Sequence, residues 1–310
     1  MRAILAALIG TLLLITPAKA QPVSAFVQGA ASSGPACGGY QGPGDFATAA
    51  NWRGYWGLRA FNAATCGNKA INIRRASDGT NTDISTISTT GKLDVATATT
   101  FCNATTCFVT KLYEQSGGGV GDVSQATAGS QAQLAFGCTG LAASTPCLTT
   151  QGTGNPAYLS ALSITQAQPF TLIGAAKFIT DPGGNPYHVI HKNTGQPTMG
   201  FLGGTDLAYV AATLANQSVA TSKIGKYTGE QAVVNGASSV FTTDSSDGVQ
   251  TNNSTNPGTA DWAVEQITVM EQGFSGTGTF LEAGIYNGTM TGTQTGNINT
   301  GQCSFWGYTC

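Results

Sequence analysis

Few side chains in this sequence can do chemistry: 310 residues include 15 Asp and Glu, 13 Lys and Arg and 2 His. In the second half, Asp206, Glu230, Asp261, Glu265, Glu271 and Glu282 are carboxyl groups that could act in pairs as general acid and base. Glu271 ends a β-rich run, Gln266 to Met270, and simple alternation groups it with Ile267 and Val269. His188 and His191 stand three residues apart in a strand-like run, on opposite faces, so one metal cannot easily take both. The chain has no G-x-S-x-G nucleophile elbow. Arg74 and Arg75 could clamp a ligand carboxylate, but pairing with Asp78 or Asp83 across the Ser77-Asp78-Gly79 turn is the plainer account. Ser116-Gly117-Gly118-Gly119 lacks the G-K-[ST] ending of a phosphate cradle and predicts a left-handed glycine loop. No cofactor is called for.

The elements that hold these groups belong to an exported chain. Arg2, the apolar run Ile4 to Ile15 and Ala18-Lys19-Ala20 make residues 1–20 a signal peptide, so the mature chain is expected to start at Gln21. Residues 21–310 are expected to form one domain, secreted to the extracellular space or periplasm, with no membrane insertion. The eight cysteines pair by neighbours as Cys37–Cys66, Cys102–Cys107, Cys138–Cys147 and Cys303–Cys310. No C-x-x-C occurs, and the spacings do not match zinc sites, so no metal is expected. A net charge of -2 and the lack of a basic stripe argue against nucleic acid. The abundant Gly, Ser, Thr, Asn and Gln make a surface of neutral hydrogen-bonding groups, the kind a polysaccharide or oligosaccharide partner requires; the oligomeric state is left open.

Residues 21–50 read as an irregular lead-in. Trp52, Tyr55, Trp56 and Arg59 recur at three- and four-residue steps, which predicts one short helix within Trp52 to Ala64, its aromatics more often core than sugar platform. Ile71 to Arg74 and Phe108 to Tyr113 alternate as strands, the second entered from the Cys102–Cys107 loop. Short β-rich runs then recur: Phe170 to Ile179, Tyr187 to His191, Leu207 to Leu214, Gln231 to Val234, Gln266 to Met270 and Phe280 to Tyr286. Val234-Asn235-Gly236 is the strongest hairpin signal. The tail from Thr289 reads as irregular. Many short strands, few helices and frequent turns predict an all-β antiparallel sandwich or jelly roll.

One stretch carries a family likeness. Arg75, Ser77-Asp78-Gly79, Thr82-Asp83-Ile84-Ser85, Phe101-Cys102, Thr105-Thr106-Cys107, Tyr113-Glu114-Gln115-Ser116-Gly117 and Gln125-Ala126 resemble, in order, the pattern of the secreted α-L-arabinofuranosidase B catalytic domain. That family is a concanavalin-like β-sandwich of glycoside hydrolases. Gly278-Thr279-Phe280-Leu281-Glu282 resembles its G-T-F-Y-E, where the Glu belongs to the sheet scaffold. The resemblance implies release of terminal arabinofuranosyl residues with retention, which takes two carboxyl groups roughly 5–5.5 Å apart. The family's acid/base Asp falls seven residues before G-T-F, and that count lands on Glu271, a retained acid/base, a solvated strand-end carboxylate or a remnant of an older site. The family's nucleophile motif A-D-L-E-N-G finds its nearest match in Ile190 to Gly195 and places Lys192 where the carboxylate belongs. The adjacent Cys-Cys of the family's sugar pocket is missing. The alternative reading is therefore a non-catalytic glycan-binding or surface-adhesion sandwich that has lost its nucleophile.

Overall fold

The computed structural model describes residues 37–150, 159–161, 164–179, 186–192, 198–202, 207–209, 216–218, 225–245, 251–254, 262–264, 267–272 and 278–309. Strands β1 (Trp52–Gly57), β2 (Lys69–Arg75) and β3 (Asn81–Ser85) precede helix α1 (Val95–Phe101), and β4 (Cys107–Leu112), β5 (Val123–Ser124), β6 (Ala132–Phe136) and β7 (Pro146–Thr149) follow it. Next come β8 (Leu159–Ala161), β9 (Ile164–Gln166), β10 (Phe170–Phe178), β11 (Pro186–Lys192), β12 (Thr198–Leu202), β13 (Leu207–Tyr209) and β14 (Asn216–Ser218). The chain ends in β15 (Tyr227–Val234), β16 (Val240–Ser245), β17 (Thr251–Ser254), β18 (Trp262–Val264), β19 (Ile267–Gln272), β20 (Gly278–Asn287) and helix α2 (Gly292–Trp306). The main sheet runs β12-β11-β19-β8-β5-β4-β6-β7-β20-β10-β15-β16-β17, with β1 on β20, β2 on β4 and β3 on β2. Its pairings are antiparallel, and the expected all-β sandwich is the fold.

Alternation along β10 separates two faces. Leu172 lies opposite Ile285 and Ala232, and all three are buried in the main core. On the same face Gly174 has no side chain, and Val189 of β11 and Met199 of β12 pack into that space, 2.6 and 2.8 Å from where a Cβ would stand. So β11 and β12 cover the inner side of β10. Ile173, opposite Gln231 and Gly284, faces the other way and joins Trp52, Tyr55, Phe61, Tyr286 and Ile298 of α2 in a second core. Helix α2 thus covers the outer side of the β20-β10-β15 layer.

Two expected elements come out differently. Trp52 to Ala64 is not a helix: Trp52–Gly57 is strand β1, followed by a short 3-10 turn at Ala63–Thr65. The pairing with β20 shifts register between Trp52 and Gly54. The extra residue of such a bulge puts positions three apart on one face, which imitates a helical step. Trp52 and Tyr55 accordingly share the outer core, whereas Trp56 points into the main core. The tail is not irregular, since Gly292–Trp306 is a 15-residue helix. A Thr291/Gln294 capping box starts it, and Gly307, at φ 77°, ends it in the left-handed conformation that glycine adopts without strain. Ile298, Gln302 and Trp306, four apart, form its buried stripe.

Three predicted disulfides are present, Cys37–Cys66, Cys102–Cys107 and Cys138–Cys147. Cys303 is disulfide-bonded too, and Cys310 lies outside the described residues. Cys107 is the first residue of β4, so the short Cys102–Cys107 loop does fix where that strand begins. The Asn235-Gly236 signal joins β15 to β16 in an antiparallel hairpin, through a 3-10 turn at Gly236–Ser238 rather than a two-residue turn. Of the expected run Leu207 to Leu214, β13 occupies Leu207–Tyr209 and residues 210–214 lie outside those described. Gly117 and Gly119 have φ of 72° and 84°, the expected left-handed loop, and a Cβ on Gly118 would meet the Trp52 carbonyl oxygen at 2.2 Å.

Candidate active site

Glu282 sits at the centre of a buried hydrogen-bond cluster. Alternation along β20 puts it on the outer face with Gly284 and Tyr286, beneath α2. It is fully buried and accepts hydrogen bonds from five donors: Arg59 Nε at 2.5 Å and Nη2 at 2.7 Å, Tyr55 Oη at 3.0 Å, Gln302 Nε2 at 2.9 Å and Trp306 Nε1 at 3.2 Å. Tyr55 of β1 and Arg59, two residues past the strand's end, reach the same carboxylate, and Gly57 between them stands opposite Glu282. The Arg59 guanidinium also lies 4.9 Å from the centre of the Phe305 ring. Burial disfavours the Arg59 cation, but Glu282 and the phenols of Tyr40 and Tyr55 outweigh it and hold its pKa above the usual value. Burial, reinforced by Glu282, pushes the Tyr55 phenol up. A carboxylate with every lone pair taken inside the protein cannot protonate or attack a substrate. Glu282 ties α2 and β1 to the sheet, as the likeness to a scaffold Glu implied.

The motif-rich stretch builds a surface that braces the sheet. Arg75 lies 3.4 Å from Asp78, as read from the sequence, and Asp78 accepts from Thr80 N at 3.0 Å. Arg74 pairs with neither aspartate; its Nε donates to Gln131 at 2.9 Å and its guanidinium sits over the Phe108 ring. Asp83 is taken by Lys69 at 2.6 Å, Tyr113 Oη at 2.6 Å and Asn72 Nδ2 at 2.7 Å. Partial burial pushes the Asp83 carboxyl up, but those donors outweigh it and hold it down to about 2. Glu114 accepts from the backbone amides of Tyr55 at 3.0 Å, Ser116 at 2.6 Å and Gly117 at 2.9 Å, so it shapes the glycine loop and pins it to β1.

Glu271, expected as acid/base, and Lys192, which stands where the resemblance puts the nucleophile, fall on neighbouring strands. In the β11–β19 ladder His188 stands opposite Glu271 and Lys192 opposite Ile267. Glu230 is buried on β15, opposite Gly174 of β10 and Thr243 of β16. Asp206, Asp261 and Glu265 lie outside the described residues. Among the described residues no group of three or more His, Cys, Asp or Glu is placed to hold a metal. The helical reading of Trp52 to Ala64 places Arg59 on a helical face and so hides the Arg59–Glu282 pair. The signal was Tyr55-x-Gly57-x-Arg59, a period of two with a glycine where strands approach closely.

Fold and stretch together define a disulfide-stapled antiparallel sandwich. Residues 49–170 match the family "Alpha-L-arabinofuranosidase B, catalytic", and the chain resembles that catalytic domain. Among curated relatives, the probable α-L-arabinofuranosidase B of Aspergillus flavus is 44% identical over 61 residues, 20% of this chain and 12% of that protein. The α-L-arabinofuranosidase B of Emericella nidulans is 46% identical over 57 residues, 18% of this chain and 11% of that protein. An arabinofuranosidase complexed with arabinofuranosyl-α-1,2-xylobiose has a similar fold, with a TM-score of 0.60 at 15% identity, covering 84% of this chain and 64% of that one. A GH54 α-L-arabinofuranosidase soaked with a cyclic sulfate inhibitor gives a TM-score of 0.58 at 15% identity over the same shares. The chain spans about an eighth of the curated relatives in sequence and 64% of the solved chains in structure.

Proposed function

We propose that this protein is a secreted carbohydrate-active sandwich that hydrolyses terminal arabinofuranosyl residues of a polysaccharide, with Glu271 as acid/base. The match of residues 49–170 to the arabinofuranosidase B catalytic family carries the reading. Three disulfides and the signal-peptide pattern support an oxidising, exported setting. Retaining hydrolysis uses one carboxyl group to protonate the leaving oxygen and another to attack the anomeric carbon, then returns the first as base for water. Lys192 cannot attack to form the glycosyl ester, so the nucleophile comes from another position. Of the partner carboxylates named from the sequence, Glu230 and Glu282 are buried in the sheet, which leaves Asp206, Asp261 and Glu265. A second reading, glycan binding without turnover, is favoured by Lys192 itself.

Incubation of the full chain with an arabinofuranosyl oligosaccharide, whose sugar leaving group needs a proton, separates the two. Release of arabinose by the wild type, and its loss in Glu271→Gln, supports hydrolysis. No release by the wild type ends the hydrolase reading for that substrate class.

A further inference from the structure

A groove of about 670 Å³ runs between the N-terminal half of α2 and the outer face of β15 and β16. That volume lies within the roughly 300–1,000 Å³ common for small-molecule sites. Gln231, Asn235, Ser238, Thr242 and Thr295 line it with amides and hydroxyls, and Val233, Val240 and Met290 add aliphatic patches. Among the described residues no charged side chain lines it. Because β11 and β12 pack on the opposite side of β10, the groove and the strand paired with Glu271 lie on different sides of the layer.

The floor of the groove holds an incomplete hydrogen-bond set. Gln231 is 1% exposed; its Nε2 donates to Asn299 Oδ1, and its Oε1 has no partner. A buried amide oxygen left unpaired is costly, roughly 1–3 kcal/mol, and invites a donor. Gln231 is one of the groove's lining residues, so a ligand hydroxyl held there is a donor that this oxygen lacks. Gly296 opens the helix side of the groove: a Cβ there would meet nothing within 4 Å.

From this geometry we propose that the α2–β15–β16 groove binds a neutral polysaccharide chain, as a secondary site apart from hydrolysis. Neutral amides and hydroxyls match sugar hydroxyls, and Val233, Val240 and Met290 match sugar C–H faces. The choice of ligand rests on the carbohydrate reading above; the groove's binding does not depend on turnover.

Affinity electrophoresis of the full chain through native gels containing neutral arabinoxylan tests it, with anionic polygalacturonate as control. The wild type is expected to be retarded by arabinoxylan alone. Gly296→Trp, which fills the groove, is expected to weaken that retardation at least tenfold, and Gly296→Ala to keep it. Thermal melting checks that each variant folds, and Thr242→Tyr blocks the sheet side should Gly296→Trp misfold. Equal retardation of wild type and blocked variants, retardation by polygalacturonate as strong as by arabinoxylan, or none at all would overturn the proposal. Wild-type failure on an arabinofuranoside reporter would instead sink the hydrolase reading and leave this one intact.

Discussion

Buried charge is where single residues matter most in this sandwich. Arg59 and Glu282 are both fully buried and satisfy each other, so removing one strands the other charge without solvent. Glu282→Gln is expected to cost about 3–5 kcal/mol, and the apolar double variant Arg59→Met/Glu282→Leu recovers only part of that loss, because Tyr55, Gln302 and Trp306 lose their acceptor. Urea unfolding of the two single variants and the double measures the coupling, and additive losses would show the pair to be independent. Asp83 makes a pH prediction of definite sign. Its carboxyl is held down to about 2, below its unfolded value, so it stabilises the fold above pH ~4 and loses that contribution as pH falls from about 4 to about 2. The stability gap between wild type and Asp83→Asn should therefore shrink across that window. A gap independent of pH would contradict the Lys69, Tyr113 and Asn72 contacts as its cause.

At the scale of elements, period two and turn chemistry located most strands, because a strand half buried in a sandwich must alternate. Ile71 to Arg74, Phe108 to Tyr113 and Phe280 to Tyr286 all sit within β2, β4 and β20 or run one residue past them. Two signals misled. The bulge in β1 gave Trp52 and Tyr55 a helical spacing, and a one-residue shift in pairing is invisible without the partner strand. Helix α2 is poor in helix formers, with Gly292, Gly296 and Gly301 inside it, so tertiary packing of Ile298, Gln302 and Trp306 holds it rather than propensity. That weakness is testable. Gly296→Ala should stabilise the protein by about 1 kcal/mol, since the added methyl meets nothing and glycine is a poor helix former. Gly307→Ala should destabilise by about 1 kcal/mol because the C-cap needs φ of 77°. Thermal melts of both variants decide it, and shifts of the same sign would refute the account of the helix.

For the whole molecule, neighbour pairing of cysteines gave three bridges that the structure contains, since sequence-adjacent cysteines in a stapled β-protein close short loops. The Cys37–Cys66 bridge spans 29 residues and Cys102–Cys107 only 5, so the first restrains the unfolded chain more. Removing it should cost roughly 1.5 kcal/mol more than removing the second, a difference that urea unfolding of the two Cys→Ser pairs reads. The candidate site was less legible than the fold. The family-like motifs lie mainly in residues 49–170, where they build the scaffold of Asp83, Glu114 and the glycine loop, whereas Glu271 rests on a count back from Gly278 and Lys192 on a thin match in the middle of the chain.

The central claim is that Glu271 protonates the leaving oxygen of an arabinofuranoside. It is tested most directly by kcat/KM of wild type and Glu271→Gln on two substrates, one with a nitrophenolate leaving group and one with a sugar leaving group. Nitrophenolate departs without a proton, and a sugar alkoxide does not. A loss of roughly 10²–10⁴-fold on the oligosaccharide with a far smaller loss on the nitrophenyl glycoside is the predicted result. Equal losses on both substrates, or no loss on either, would contradict it.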